Sequence, residues 1–299
     1  SCSLVGSEMC IRDSIDSVQF DTLSIRYSMP QWIVDRFVAA YGEKKAEEIF
    51  KAFHNKSTIS IRTNLTRCTP DELRATLEAE GVTVTAVDEL NYAFVISGFD
   101  YLNGLQSFRD GLFYVQDISS MLVAQTAAPK KGDYVIDVCA APGGKSTHIA
   151  ELLQGSGHVL ARDLTDNKVD MIEENIDRHG LNNMSAEVWD ATVFDADSAG
   201  KADILICDLP CSGLGVLGRK KDIRYKMTPE SVDELAALQR QILDTVYTYV
   251  KPNGVLVYST CTIDEAENED NVRWFIEKHP EFEPVSYTHL RAHETAANL

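Results

Sequence analysis

The spacing of apolar positions changes near residue 130, and this change predicts two domains. Before it, the helical spacing of QWIVDRFVAAYG and KKAEEIFKAF is followed by the strand-like stretches STISIRTNL, VTVTAV and YAFVIS. A further predicted helix, DELRATLEAEG, has Thr69 as its N-cap and Pro70 in its first turn. We therefore expect a smaller N-terminal α+β domain over residues 15–125. Since it contains no cluster of acid/base or nucleophilic residues, we expect it to present a surface to a substrate.

From Gly132 onward, short apolar and β-branched runs alternate with helical patterns. The predicted strands are YVIDV, HVLAR, SAEVW, ADILIC and GVLVYS. The predicted helices span residues 145–153, 166–180, 229–250 and 265–278. This alternation is typical of an α/β domain with a parallel sheet covered on both faces, which binds ligands at the carboxyl ends of its strands. We assign it residues 126–284.

Neither end of the chain matches the period of a helix or a strand. Residues 1–14 (SCSLVGSEMCIRDS) and residues 285–299 resemble peptides translated from sequencing-adapter DNA. We interpret both segments as adapter-derived artefacts and exclude them from the fold.

The composition argues against a membrane protein and a metal site, and it restricts how the chain can bind nucleic acid. No apolar stretch reaches the ~18–20 residues that a membrane span needs, so we expect no membrane association. The seven cysteines are odd in number and lack the two-residue gap of zinc sites, which argues against a metal and favours a reducing, cytoplasmic setting. The net charge of −18 requires that any nucleic acid bind through a local basic patch.

The first motif with chemical content is DVCAAPGGKST, over residues 137–147, which follows a strand and opens a helix. A P-loop would need a glycine at Cys139, and the dinucleotide pattern G-x-G-x-x-G is absent. Of the nucleotide ligands considered, this leaves a nucleoside cofactor without a pyrophosphate, such as S-adenosylmethionine.

Asp163, at the end of the second strand, is placed to accept hydrogen bonds from ribose hydroxyls. Asp190, after the third strand, is placed to reach an adenine amino group.

Two further motifs bring cysteines to neighbouring strand ends. DLPCSG places Asp208 and Cys211 after the fourth strand, and STCT places Cys261 after the fifth. Cys139 and Cys207 are expected to be small apolar core residues.

CAAPGGK, DLPCSG and STCT, in this order, resemble the RNA cytosine-5 methyltransferases, and most closely the Sun or RsmB type that acts on bacterial 16S ribosomal RNA. The resemblance covers residues 25–284, with Leu209 where alanine is commoner. It implies a Rossmann-like class I methyltransferase sheet and S-adenosylmethionine as cofactor. It also implies methyl transfer to carbon 5 of cytosine through a covalent cysteine–cytosine intermediate. The family's all-helical N-terminal domain and its last two strands are absent, so we expect a chain truncated at both ends, with the fifth strand at an edge.

The resemblance also implies roles for single residues. Cys261 is expected to be the nucleophile, with Cys211 helping to release the product and Asp208 contacting nitrogen 3 of the base. Pro-Cys is, however, the nucleophile motif of DNA cytosine-5 methyltransferases, which keeps Cys211 as a second candidate. The expected cofactor contacts are Cys139, Ala140, Ala141, Pro142, Gly143, Gly144, Lys145, Asp163, Asp190 and Asp208.

The RNA path is expected along the densest basic run of the chain. Its members are Arg219, Lys220, Lys221, Arg224 and Lys226.

Transfer RNA is the second candidate substrate. A DNA methyltransferase is disfavoured because a Pro-Cys-Gln triplet and a Phe-x-Gly-x-Gly turn are absent, and an inactive RNA-binding scaffold is disfavoured by the intact Asp208, Cys211 and Cys261. We expect a monomer.

Overall fold

The computed structural model describes residues 22–54, 58–88 and 90–285. Except for Val285, the two segments interpreted as adapter-derived lie outside these residues. The helices of the described residues are α1 (Leu23–Arg26), α2 (Gln31–Tyr41), α3 (Glu43–His54), α4 (Pro70–Ala79), α5 (Gln106–Arg109), α6 (Ile118–Ala127), α7 (Gly144–Leu152), α8 (Asp166–His179), α9 (Ile223–Lys226), α10 (Pro229–Val246) and α11 (Glu269–Lys278). The strands are β1 (Ile59–Thr63), β2 (Thr83–Val87), β3 (Leu90–Ser97), β4 (Phe113–Val115), β5 (Tyr134–Asp137), β6 (His158–Asp163), β7 (Met184–Val188), β8 (Ala202–Asp208) and β9 (Val250–Ser259).

The N-terminal sheet is antiparallel with the strand order β2-β3-β1-β4. Its order β1-α4-β2-β3-α5-β4 along the chain is a split β-α-β arrangement. Thr69 caps α4 as predicted, because its side chain accepts a hydrogen bond from the Glu72 N–H and Pro70 occupies the first turn. One face of the sheet buries Ile61 and Phe94 among apolar neighbours that include α4.

The second sheet is parallel with the order β7-β6-β5-β8-β9, as the strand–helix alternation predicts. One apolar cluster includes α7 and α8, and the other includes α10 and α11, so both faces are covered. Among the described residues β9 has a strand neighbour on one side only, as expected.

Several elements differ from the sequence prediction. The helix expected over 229–250 ends at Val246 and is followed by a 3-10 turn. The helix expected over 265–278 divides into a 3-10 turn and α11, since Asn268 leaves the helical conformation. Four helices, α1, α5, α6 and α9, were not predicted. In α6 the sequence ISSMLVAQTA has no clear polar face, so it lacks the periodicity that indicates an amphipathic helix.

The N-terminal helices pack on loops of the parallel sheet rather than on the small antiparallel sheet. Ile33 and Phe50 share an apolar cluster with Leu214 and Leu217, which follow β8. Arg36 forms an ion pair with Asp264. These helices therefore support the loops at the carboxyl end of the parallel sheet.

A buried polar network joins the two sheets' domains. Arg62 of β1, with a fully buried side chain, donates from Nη1 to Glu151 Oε2 at 2.5 Å and from Nη2 to Thr147 Oγ1 at 3.1 Å, both on α7. Its Nε donates to Gln116 Oε1 at 2.8 Å. The polar face of β1 is thus buried against α7.

No helix among the described residues is long and apolar enough to cross a membrane.

Candidate active site

The three sequence motifs meet at the carboxyl ends of the central strands. Asp137 ends β5 and pairs in register with Ala161 of β6 and Ile206 of β8, while Asp208 of β8 pairs with Ser259 of β9. Since adjacent strands lie about 4.8 Å apart, the segments that follow them form one crevice. This is the edge at which parallel sheets bind ligands.

The turn over residues 138–144 is fixed by hydrogen bonds from neighbouring elements. Gly143, with a φ of 97°, precedes α7 and donates its N–H to the Ala140 carbonyl. Positive φ favours glycine at this position. The Ala141 N–H donates to Asp163 Oδ2 at 2.9 Å, and the Pro142 carbonyl accepts from Tyr114 Oη. The turn is thereby held open above the strand end, with the first N–H groups of α7 directed toward the crevice.

The two carboxylates predicted to contact a nucleoside differ in their surroundings. Asp163 is buried and accepts from the N–H groups of Ala141 and Leu164 and from Lys168 Nζ. A carboxylate has about four acceptor positions, so one remains for a ligand. Asp190 is exposed, and the hydrogen bonds from the N–H and hydroxyl of Thr192 lower its pKa.

Asp137 is a site residue to which the sequence analysis assigned no role. It is buried at the base of the turn and accepts hydrogen bonds from the Ser146 hydroxyl at 2.5 Å and the Cys139 N–H at 3.4 Å. Burial raises its pKa to about 7. An aspartate that ends an apolar strand, nine positions before a serine in the following helix, was the available signal.

Lys145 and Asp208 form an ion pair in the crevice. Lys145 Nζ, on the first turn of α7, lies 2.5 Å from Asp208 Oδ2. Ser259 Oγ donates to Asp208 Oδ1 at 2.8 Å. The pair brings the first and second motifs into contact, as both were expected to reach the same ligand region.

Cys211 and Cys261 are in direct contact. Their Sγ atoms lie 3.2 Å apart, and the Cys261 N–H donates to Cys211 Sγ at 3.3 Å. The hydrogen bond from the Cys211 thiol lowers the pKa of Cys261 to about 7, and Lys220 and Lys145 lower it further against burial and Asp208, which raise it. The same contact, together with burial, raises the pKa of Cys211. Cys261 is therefore the more readily ionised of the two.

A buried polar cluster holds the two cysteine loops together. Glu267 Oε1 accepts from the Ser212 N–H and from Gln239 Nε2, both at 2.9 Å. Gln239 Nε2 also donates to the Pro210 carbonyl, and the Ser212 hydroxyl contacts that of Thr262 at 2.9 Å. Sequence reasoning missed this cluster because Gln239 lies in an amphipathic helix and Glu267 in a mainly acidic 3-10 turn, where polar side chains are usually exposed.

The basic run divides into exposed and buried members. Lys220, Lys221 and Lys226 are exposed, the last in an ion pair with Asp222. Arg219 forms an ion pair with Asp117.

Arg224 was expected to lie on the RNA path, and this expectation is wrong. Its side chain is buried and donates to the carbonyls of Ser28 and Leu217, so it stabilises the loop and is not available to a phosphate.

The carboxylates of the crevice, which are hydrogen-bond acceptors, fit a cationic ligand without phosphate groups. Asp137, Asp163, Asp190 and Asp208 all lie at strand ends around the turn, and the nearest lysines, Lys145 and Lys168, are paired with Asp208 and Asp163. A sulfonium nucleoside with ribose hydroxyls matches this excess of acceptors better than a pyrophosphate does. Within the described ranges, no group of three or more His, Cys, Asp or Glu side chains is arranged to hold a metal ion.

Comparisons with known proteins point to one family. A family model described as 16S rRNA methyltransferase RsmB/F matches residues 124–297. A second model, described as the ferredoxin-like domain of RsmF/B-like methyltransferases, matches residues 29–99. The strand order of the N-terminal sheet agrees with this second description.

Individual relatives agree with the family models. The chain is 39% identical over 264 residues to the "Probable ribosomal RNA small subunit methyltransferase B" of Bacillus subtilis (strain 168), covering 88% of this chain and 59% of the relative. It is 36% identical to the ribosomal RNA small subunit methyltransferase F of Cronobacter sakazakii, covering 74% of this chain and 48% of the relative. The chain thus spans about half to three fifths of these relatives.

A solved structure shares both domains. The crystal structure of NSun6 from Pyrococcus horikoshii with SFG superimposes with a TM-score of 0.77 and 26% identity, covering 83% of this chain and 87% of that chain.

Proposed function

Because the chain belongs to the 16S rRNA methyltransferase RsmB/F family, we propose that it transfers a methyl group from S-adenosylmethionine to carbon 5 of a cytosine in 16S ribosomal RNA. The observation that carries the proposal is the contact of Cys261 with Cys211 beside the Lys145–Asp208 ion pair. Relatives named as small-subunit rRNA methyltransferases support the substrate, and NSun6 solved with SFG, an analogue of S-adenosylmethionine, supports the cofactor. We propose a cytoplasmic monomer, which the free cysteines support.

The cofactor contacts follow from the crevice. The backbone over 139–144 and the carboxylates of Asp163 and Asp190 would hold the nucleoside, and Lys145 and Asp208 would border its reactive end. When bound, S-adenosylmethionine supplies an electrophilic methyl group. The remaining requirement is a nucleophilic carbon, which an unmodified cytosine ring lacks.

Cys261 meets this requirement as a thiolate. Its sulfur attacks carbon 6 of cytosine, and the electron pair moves toward nitrogen 3, which makes carbon 5 enamine-like. Asp208 contacts nitrogen 3, and the adjacent Lys145 ammonium offsets the negative charge that develops there. Such acid/base contacts typically contribute ~10²–10⁴-fold in rate. After carbon 5 has taken the methyl group, solvent water takes up the carbon-5 proton. The electrons of that C–H bond reform the carbon 5–carbon 6 double bond and expel the sulfur, which restores the thiolate, with Cys211 assisting release.

RNA would approach along Arg219, Lys220, Lys221 and Lys226. Lys220 is close enough to lower the pKa of Cys261, so this patch borders the nucleophile. The target base must leave its stack to reach the sulfur, which favours loops over duplex RNA.

Trapping with 5-fluorocytosine RNA tests the assignment of the cysteines. Fluorine at carbon 5 cannot leave as a proton does, so the enzyme and RNA stay covalently joined and are seen on a denaturing gel. We expect Cys261→Ala to abolish the adduct, and Cys211→Ala to accumulate it even with ordinary RNA. Cys68→Ala, a free cysteine of the N-terminal domain, is the matched control and should form the adduct normally. The opposite pattern for Cys211 and Cys261 would exchange their roles.

A further inference from the structure

We propose that Tyr225 is a stacking platform for a base next to the target cytosine in a single-stranded RNA, an inference that rests on the proposed cytosine methylation. Tyr225 is 73% exposed, the highest value among the exposed large apolar and aromatic side chains of the described residues. Exposed aromatic rings stack on unpaired bases with little regard to sequence, because every base presents a π-face.

The ring is held on a fixed support. Its neighbour in α9, Arg224, is 5% exposed and donates to the Ser28 carbonyl at 3.1 Å, which ties α9 to the N-terminal helices. Ile223 packs against the apolar cluster of those same helices. With the backbone fixed and only two side-chain torsions, Tyr225 loses little conformational entropy when a base stacks on it.

The platform borders the nucleophile. A Cβ added to Gly213 would lie 2.9 Å from Ile223 Cδ1 and 3.9 Å from Cys261 Sγ, so α9 packs directly against the loop beside the reactive sulfur. Tyr225 lies two residues beyond Ile223 on the exposed side of the same turn. α9 thus borders the loop of the nucleophile, and the platform requires that a strand with its cytosine at Cys261 pass along this helix to its exposed side.

The charges around the ring favour RNA over a protein partner. Residues 219–226 contain five basic residues and one acidic residue, in a chain whose net charge is −18. Lys220, Lys221 and Lys226, near Tyr225 in sequence, are all exposed. A protein-docking surface would instead present further apolar side chains, whereas lysines next to an aromatic ring match the phosphates and bases of a single strand.

The test combines binding and kinetics of three variants of the full chain. The probe for binding is a fluorescein-labelled oligocytidine RNA, and the substrate for kinetics is unmethylated 16S ribosomal RNA transcribed in vitro. We expect Tyr225→Ala to weaken the affinity for oligocytidine about tenfold and to raise KM for the ribosomal RNA, with kcat unchanged, since a stacked base contributes about 1–3 kcal/mol and 1.4 kcal/mol is tenfold. Tyr225→Phe keeps the ring and should bind as the wild type does. Tyr101→Ala, which removes a tyrosine 67% exposed on the N-terminal domain, is the matched control.

A spectroscopic variant adds a direct readout. In Tyr225→Trp, oligocytidine should quench the additional tryptophan fluorescence because the base stacks on the indole. Wild-type affinity and KM for Tyr225→Ala, or an equal loss in Tyr225→Phe, would overturn the platform. If Tyr225→Ala weakens RNA binding while the wild type leaves cytosine unmethylated, the proposed reaction fails and the platform stands.

Discussion

At the scale of single residues, the arrangement of the two sulfur atoms favours Cys261 as the nucleophile of the proposed reaction. The thiolate is the nucleophilic form of cysteine, and an unperturbed thiol near pKa 8.5 is only a few per cent thiolate at neutral pH. The hydrogen bond from Cys211 and the positive charges of Lys145 and Lys220 lower the pKa of Cys261 to about 7. Cys211 thus keeps its proton, while Cys261 loses its own more readily.

The rate of adduct formation is expected to follow the ionisation of Cys261. Below pH 7 the thiolate fraction rises about tenfold per pH unit, and it levels off above pH 8, so the rate at saturating RNA should do the same. Lys220→Gln removes a positive charge near the sulfur and should shift the midpoint to higher pH. Lys221→Gln is the control, and its midpoint should stay at the wild-type value. A rate independent of pH between 6 and 8 would contradict the assignment.

The residue types of the site could be predicted from the sequence, but the direction of each side chain could not. Asp208, Cys211 and Cys261 follow strands, and the strand order brings them together as expected. Arg224 is in the basic run, yet α9 turns it inward toward Ser28. Linear charge density does not reveal which side of a four-residue helix is covered by another part of the chain.

At the scale of elements, β1 was predicted correctly as a strand, but the sequence did not indicate what covers its two faces. Ile61 enters an apolar core, as the pattern predicts. Ser60 and Arg62, on the other face, are buried as well, because α7 and the β4 segment cover them. A polar residue in a half-buried strand is normally taken as exposed. Arg62 is satisfied in its buried position by Gln116 and by two residues of α7 that lie more than eighty residues away in the sequence.

The turn before β4 packs tightly against the end of α8. Gly111 has a φ of 64°, and a Cβ added there would lie 2.0 Å from the Arg178 carbonyl oxygen. We expect Gly111→Ala to destabilise the protein by about 1–3 kcal/mol, because the backbone of α8 must shift. Gly81→Ala has a similar φ, with no atom within 4 Å of the added Cβ, and serves as the control for backbone strain alone. Thermal midpoints of the two variants measure the difference, and equal midpoints would show that the contact is not tight.

At the scale of the whole molecule, segregation of charge reconciles the acidity of the chain with the RNA binding proposed for it. The chain carries a net charge of −18, whereas Arg219, Lys220, Lys221 and Lys226 lie in one segment beside Cys261. The sequence was sufficient to predict this segregation, since these basic residues all fall within residues 219–226. It was not sufficient to predict how the two domains contact each other, since that depends on partners such as Arg62 and Glu151 from distant segments.

The affinity for single-stranded RNA is expected to depend strongly on salt. If all four basic side chains contact phosphates, the slope of log affinity against log salt should be about −3, as about 0.7 counterions are released per contact. Measuring oligocytidine affinity between 50 and 200 mM salt tests this estimate. The double variant Lys220→Gln/Lys221→Gln should reduce the slope by about half. An affinity that does not change with salt would refute the patch.

The ion pair between the domains is expected to contribute strongly to stability. Arg62→Met leaves the Glu151 carboxylate buried without its partner, which typically costs about 3–5 kcal/mol. Burial already raises the pKa of Glu151 to about 7, and loss of Arg62 raises it further. The cost of the substitution therefore grows as the pH rises above 7, where the carboxyl must ionise without its partner, and it is smallest below pH 7, where the carboxyl is neutral.

The double variant Arg62→Met/Glu151→Leu is the control for this prediction. It removes both charges and should recover most of the stability, with little dependence on pH. Urea unfolding of the wild type and both variants at pH 8 and pH 6 gives the comparison. A single variant as stable as the wild type at pH 8 would contradict the role of the pair.

The position of α7 has a practical consequence for anyone who wishes to express the catalytic half by itself. The match to the methyltransferase family model begins at residue 124, but Arg62 and Gln116 precede that point. Arg62 satisfies polar groups on the helix that opens at Gly144, and Gln116 accepts a hydrogen bond from Arg62. A gene fragment cut at residue 124 would leave Glu151 and Thr147 without their partner Arg62, on the very helix that shapes the cofactor turn. The start of the family match and the start of the folded unit therefore differ, and a fragment for expression should include the residues that the folded unit needs.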